Sequence, residues 1–221
     1  MSREVRITPS ILNADFSDLL SEIDRIALDS DLVHLDVMDD KFVPNFTFTF
    51  DAAADLISKS ALPVDAHLMV LSGDTAGPMF AEFGCESVTV HAEATENISQ
   101  TLKEIRKGGA RAGLALKPAS QIEDYSDLLS DVDMFLIMTV EPGFGGQSFM
   151  SDMITKIEKT RKLIGSRPIW LQVDGGISEK TIESAAMAGA DTFVAGSAVF
   201  KADDPAAMVR KLRSLAQTSI A

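Results

Sequence analysis

The chain is poor in cysteine, in positive charge and in long apolar runs, and each shortage excludes something. Cys85 is the single cysteine among 221 residues, so no disulfide framework can form within one chain and a reducing compartment is expected. Its neighbours read as the lead-in to a strand, and a small buried residue is the ordinary role for such a thiol. Lysine and arginine number 20 against 33 aspartates and glutamates, a formal net charge of −13. Nucleic acid and anionic membrane surfaces are thereby disfavoured as partners, because a phosphate backbone needs a basic face. No stretch of about 18 apolar residues occurs, so no bilayer span is expected. The N-terminal Met-Ser-Arg-Glu-Val-Arg-Ile lacks the apolar core of a signal peptide, and the expected location is the cytoplasm. Glycine fingerprints of dinucleotide binding are also missing after the first strand-like run, where the chain reads Pro9-Ser10-Ile11-Leu12-Asn13. That weakens an open, doubly wound sheet as the architecture.

What is present is an alternation. Eight short β-rich runs read Arg6–Leu12, Leu32–Val37, Val64–Val70, Ser87–His91, Arg111–Leu116, Met134–Val140, Ile169–Val173 and Thr192–Ala195. Between them lie amphipathic stretches such as Phe16–Leu28, Ile98–Lys107, Met153–Ile164 and Lys180–Ala188. Strands alternating with helices imply parallel βαβ units. Eight units in about 220 residues predict an α/β fold of the (β/α)8 TIM-barrel type, one domain over residues 1–221. Asp15 or Ser17 is the expected cap of the first helix, and Ser178, with Glu179 beside it, that of the seventh. Gly108-Gly109 and Gly189 are expected helix stops.

A barrel of this kind carries its active site at the C-terminal strand ends. There the chain has Ser10, His34-Leu35-Asp36-Val37-Met38-Asp39, Asp65-Ala66-His67, His91-Ala92-Glu93, Glu141 to Gly146, Asp174-Gly175-Gly176 and Gly196-Ser197. All three histidines fall in this set. Residues two apart on a strand share a face, so His34 and Asp36 point together, and His67 and Asp174 can converge on them. Two imidazoles and two carboxylates suit one divalent ion of the zinc, iron, manganese or cobalt type. Asp36 and Asp174, on different strands, suit a two-base proton transfer beside a carbonyl, one removing a proton and the other delivering one. Such chemistry needs a Lewis acid and opposite starting protonation states. Met38, Met69 and Met138 are candidates for an apolar wall, although ordinary packing explains each equally well. Glycines at 143–146, 175–176 and 196 follow strands six, seven and eight, and the last two loops are where this fold holds phosphate by backbone N–H groups. No lysine or arginine occurs in residues 174–178 or 195–200, so a fixed backbone dipole is the expected anion holder in this acidic protein.

The segments Ile7-Thr8-Pro9-Ser10-Ile11-Leu12, His34-Leu35-Asp36-Val37-Met38-Asp39, Phe42-Val43-Pro44-Asn45, His67-Leu68-Met69, Val140 through Gln147, Val173 through Ile177 and Ala195-Gly196-Ser197-Ala198 together resemble the ribulose-phosphate 3-epimerase family across nearly the whole chain. The resemblance implies interconversion of D-ribulose 5-phosphate and D-xylulose 5-phosphate through an enediolate, in the pentose phosphate pathway. It implies Asp36 as proton acceptor, Asp174 as donor, and a metal on His34, Asp36, His67 and Asp174. Ser10, His67 and Asp174 would contact the substrate, and Gly143, Phe144, Gly145, Gly146, Gly175, Gly176, Gly196 and Ser197 would hold it and its phosphate. A homo-oligomer is implied as well. An epimerase of hexulose 6-phosphates such as allulose 6-phosphate, and a barrel that binds sugar phosphate without catalysis, are the alternatives. The chain departs from the family pattern at Asp40, where glycine is usual, at Lys41, where histidine is common, and in residues 46–51, which lack a Gly-Pro.

Overall fold

A computed structural model describes residues 4–220. Eight parallel strands run β1 Arg6–Thr8, β2 Val33–Met38, β3 Val64–Met69, β4 Ser87–His91, β5 Arg111–Leu116, β6 Met134–Met138, β7 Trp170–Asp174 and β8 Thr192–Val194. Each pairs with its sequence neighbour from β2 to β8, and β8 pairs with β1. A single bridge from Ser10 to His34 links β1's continuation to β2, giving the nearly closed (β/α)8 barrel. The helices are α1 Leu19–Asp24, α2 Phe50–Lys59, α3 Gly73–Glu82, α4 Ile98–Lys107, α5 Met153–Ile164, α6 Ile182–Ala188, α7 Ser197–Phe200 and α8 Pro205–Ser219. Residues 1–3 and 221, which the single-domain reading includes, lie outside the described residues.

The two faces of the strands differ in chemistry. Leu35, Val37, Ala66, Leu68, Val88, Val90, Phe135, Ile137, Leu171, Val173 and Phe193 alternate outward and join the helices in one apolar layer. The alternate positions fill the barrel, and many are polar: His34, Asp36, Asp65, His67, Ser87, Thr89, His91 and Gln172 are all buried. At the end remote from the site, Arg6 and Arg111 lie on the Trp170 ring at 3.9 and 3.6 Å. Polar groups inside a barrel must find partners there or destabilise it by one to several kcal/mol each. Among the described residues Thr89 Oγ1 has no such partner; the hydrogen bonds of the others are the frame of the site described below.

Local departures from expectation have local causes. β1 stops at Thr8; Pro9 offers no N–H, and Ser10 begins a 3-10 turn over Ile11–Asn13 by accepting from the Leu12 N–H. α1 is capped by Asp18, which accepts from the Ser21 N–H, while Asp15 only closes a turn onto Ser17. Helix α6 starts at Ile182 with Thr181 at its cap position and no side-chain cap bond. Ser178 instead heads the preceding turn, where its own N–H donates to Thr181 Oγ1. Between β5 and β6 the connection is a 3-10 segment, Ile122–Leu128, broken at Tyr125. Gly108-Gly109 and Gly189 end α4 and α6 as expected, Gly109 and Gly189 at φ of 96° and 122°. Cys85 is buried, and burial pushes its thiol up to about 12, an inert thiol as expected.

Candidate active site

Strand register brings the polar cluster together. His34 lies opposite Asp65 and Asp36 opposite His67 across β2 and β3, and Asp174 closes the group from β7. One ligand atom from each of His34, Asp36, His67 and Asp174 lies within 4.8 Å of the others. His67 Nδ1 is 3.0 Å from Asp36 Oδ1 and 3.7 Å from Asp174 Oδ2, and His34 Nε2 is 3.4 Å from Asp36 Oδ1. Asp36's other oxygen accepts a 2.6 Å hydrogen bond from Ser10 Oγ. Ser10, expected at the strand end as a substrate contact, thus touches Asp36 directly.

Each group is held from behind. Asp65, which sequence reasoning did not single out, meets His34 Nδ1 at 2.7 Å and also accepts from Ser87 Oγ at 2.5 Å and Gln172 Nε2 at 2.6 Å. A carboxylate on Nδ1 leaves His34 Nε2 facing the cluster, where it is buried and has no hydrogen-bond partner. That orphaned nitrogen, aimed at two carboxylates and a second imidazole, fits a divalent cation of the nitrogen-and-oxygen-binding kind. His67 contacts His91, Nε2 to Nε2 at 3.0 Å, and His91 Nδ1 contacts Glu93 at 3.1 Å. Alternation along β4 signals that His91 points inward; nothing in the sequence spacing signals that it reaches His67.

The two aspartates differ in acidity. Burial works to raise Asp36, but the facing His34 and His67 outweigh it and hold Asp36 far below the usual carboxylate range. Burial and the neighbouring Asp36 charge together push Asp174 up to about 6. Burial would lower His34, yet Asp36 and Asp65 raise it well above an ordinary imidazole. Two adjacent carboxyls whose acidities are pushed apart in this way are the pair that a one-base, one-acid proton transfer uses.

The cluster forms the floor of an open cleft at the C-terminal ends of the strands. Met38, Met69 and Met138 line it with Ser10, Asn13, residues 142–147, Gly175, Gly176, Gly196 and Ser197. All the residues expected to bind substrate therefore border one cleft, except His67, which lies beneath it in the cluster. Phe144 at the rim is exposed. The glycines have a packing reason as well: a Cβ at Gly176 would meet the Phe149 backbone N at 2.3 Å, and Gly175 and Gly176 have φ of 120° and 68°. Among the described residues no acceptor takes the N–H of Gly176, Gly196 or Ser197. A neighbouring hollow joins Gly176, Ser178, Thr181 and Ser197 with Gln147 and Lys180, so one lysine borders this region despite the uncharged loops. Asn13 was missed by sequence reasoning. It reaches the mouth only because the 3-10 turn after β1 aims it at Gly145 and Gly196. Asp40 has φ of 57°, a left-handed conformation that glycine adopts freely and aspartate less so.

A family model described as "Ribulose-phosphate 3 epimerase family" matches residues 6–200. A ribulose-phosphate 3-epimerase of Mycobacterium tuberculosis is 46% identical over 209 residues, 94% of this chain and 91% of the relative. One from Escherichia coli is 39% identical over 96% of both chains. Among solved structures, 3-keto-L-gulonate-6-phosphate decarboxylase from Vibrio cholerae superposes with a TM-score of 0.70 at 16% identity, covering 97% of this chain and 98% of that one. 3-Hexulose-6-phosphate synthase from Salmonella typhimurium does so at 0.69 and 20%, covering 97% and 100%. At such identities these two share the barrel fold.

Proposed function

The chain belongs to the ribulose-phosphate 3-epimerase family, enzymes of the isomerase class, and from that premise we propose that it interconverts D-ribulose 5-phosphate and D-xylulose 5-phosphate by a two-base proton transfer at C3. The observation that carries the reading is the His34, Asp36, His67 and Asp174 cluster on the floor of the cleft, with Asp36 held far below the usual carboxylate range and Asp174 pushed up to about 6.

Asp36, held ionised and aimed by the Ser10 hydroxyl, takes the C3 proton from one face of the substrate. Asp174 carries the proton delivered to the opposite face, and the roles exchange in the reverse direction. His34, Asp36, His67 and Asp174 would hold one divalent ion (zinc, iron, manganese or cobalt), and when bound it supplies Lewis-acid stabilisation of the negative charge that develops on the substrate oxygens. The three methionines border the reacting carbon with apolar, polarisable surface that keeps water away. Gly143 and Gly146, at φ of 123° and 74°, give the loop that carries Phe144 the freedom to close over the substrate. The unpaired N–H groups of Gly176, Gly196 and Ser197 are suited to the phosphate. A single catalytic domain over the chain and an assembly of several copies complete the reading.

The test is product formation from D-ribulose 5-phosphate, compared with a hexulose 6-phosphate, before and after exhaustive chelation. Turnover that favours the pentulose, is lost on chelation and returns with a divalent transition metal is expected. Preference for the hexulose would select the sister epimerase, and binding without turnover would select a non-catalytic barrel. Full activity in demonstrably metal-free protein would refute the metal role.

A further inference from the structure

His91 and Glu93 remain outside the chemistry described so far, yet they are built into it. His91 is fully buried. Its ring lies against Phe42, 4.8 Å between centroids, and against His67 at 5.1 Å. Its Nε2 is 3.0 Å from His67 Nε2, and its Nδ1 is 3.1 Å from Glu93 Oε2. Glu93 is itself anchored: its other oxygen accepts from the Lys117 N–H at 2.8 Å and from the Ser120 hydroxyl. Those donors come from the loop after β5, so the carboxylate cannot swing away without breaking two bonds.

Hydrogen-bond polarity fixes the proton positions along this chain once the fully buried His91 is neutral. Two nitrogens 3.0 Å apart need one donor and one acceptor. A carboxylate accepts, so His91 must donate through Nδ1. A neutral His91 then has a bare Nε2, which accepts. His67 must therefore carry a proton on Nε2, and its Nδ1, 3.0 Å from Asp36 Oδ1 and 3.7 Å from Asp174 Oδ2, is the nitrogen at which a cation would displace the proton shared with Asp36. We propose that His91 and Glu93 are positioning residues that set the tautomer of His67 from outside the cluster, so that Nδ1 is its metal-binding atom. The arrangement repeats on His67, through one intervening imidazole, what Asp65 does directly for His34. Both buried histidines of the cluster would then present a lone pair inward to a bound cation, each because a non-ligand carboxylate holds the far nitrogen's proton. The proposal rests on the metal-site reading above for its consequence, and on geometry for its proton chain.

Two measurements test it, and they fail separately. In metal-free protein, long-range ¹H–¹⁵N NMR reads the tautomer of each of the three histidines. His91 is expected to be protonated on Nδ1 and bare on Nε2, and Glu93→Gln, which can donate as well as accept, is expected to give a mixture. In parallel, zinc and cobalt affinities are measured by competition with a chromophoric chelator. Glu93→Gln and His91→Leu are expected to weaken binding by about 10- to 100-fold, the usual cost of removing such a support. A wild-type His91 protonated on Nε2 overturns the proposal without any variant. So does a Glu93→Gln protein whose tautomers and metal affinity both match the wild type. If the wild type itself takes up neither metal, the metal-site reading fails, and the tautomer of His91 alone judges the proton chain.

Discussion

Removing Asp65 should cost the protein more stability than removing any other single carboxylate inside the barrel, and the amount can be worked from its contacts. Asp65 is 1% exposed and accepts from His34, Ser87 and Gln172. Asp65→Ala leaves His34, whose imidazole is driven towards its charged form by Asp36 and Asp65, without one of its two counter-charges. Breaking such a buried pair costs about 3–5 kcal/mol. The stranded Ser87 and Gln172 donors add roughly 1–3 kcal/mol each. The sum, about 5–11 kcal/mol, rivals the whole stability of an ordinary domain, about 5–15 kcal/mol. Asp65→Asn is different. Its amide oxygen can still accept from His34 and Gln172, and its NH2 can turn to the Ser87 hydroxyl, which accepts. The change then exchanges charged for neutral hydrogen bonds, about 2 kcal/mol in all. For a chain of this length that lowers Tm by about 4–8 °C. Thermal and urea unfolding of metal-free protein measure both. Asp65→Asn folded with a modest loss, and Asp65→Ala unfolded or nearly so, are the expected results. An Asp65→Ala protein less than about 1 kcal/mol below wild type would refute the reasoning that these donors have nowhere else to turn.

Asp36→Asn and Asp174→Asn should each lower epimerase turnover by at least about 10³-fold; metal content is measured alongside, and a folded, metal-loaded Asp174→Asn enzyme with near-normal turnover would remove the donor assignment. Asp40→Gly should raise stability by about 0.5–1 kcal/mol, because relief of the left-handed strain exceeds the added unfolded-state entropy; a lowered urea midpoint would contradict it. Glu93 is held at about 2, burial being outweighed by His91, Ser120 and the Lys117 N–H. A depressed carboxyl contributes stability that is present above its unfolded pKa, near 4.5, and lost as pH falls towards 2. Melting curves of wild type and Glu93→Gln should therefore differ at pH 7 and converge between pH 4.5 and 2; a gap that stays constant down to pH 2 would count against this. Gly176→Ala should be poorly tolerated, since its Cβ would meet the Phe149 backbone at 2.3 Å at a φ of 68°; unchanged stability would show that the residue 147–149 segment moves aside freely.

Legibility in the sequence followed the range of the forces involved. β4, β5, α4 and α5 have the bounds that periodicity and flanking glycines suggest, because local pattern and tertiary packing agree there. α1 is shorter than its apolar pattern over Phe16–Leu28, since Asp18 caps it late and the chain turns from Arg25 onward, leaving Leu28 fully exposed. The link between β5 and β6 has no helical period to read and forms a broken 3-10 segment. In the cluster, the pairing of His34 with Asp36 is a matter of strand alternation, and convergence of His67 and Asp174 follows from strand-end placement in a barrel. The supports could not be read that way. Gln172 meets Asp65 across the barrel interior from a strand that is no neighbour of β3, and His91 meets His67 only through the stagger of β3 against β4. Contacts of this kind depend on barrel closure and carry no spacing signature. Asp40 was legible as an anomaly, and its positive φ is the physical content of that anomaly.

The central claim is that the paired aspartates invert C3, and the most direct measurement is early-time NMR of D-ribulose 5-phosphate incubated with the metal-loaded protein in D₂O. Asp36 as base on one face and Asp174 delivering a solvent-derived proton on the other predict D-xylulose 5-phosphate carrying deuterium at C3 from the first turnovers, while unreacted ribulose 5-phosphate still carries protium there. Product that retains protium at C3, or no xylulose 5-phosphate at all, would contradict the account.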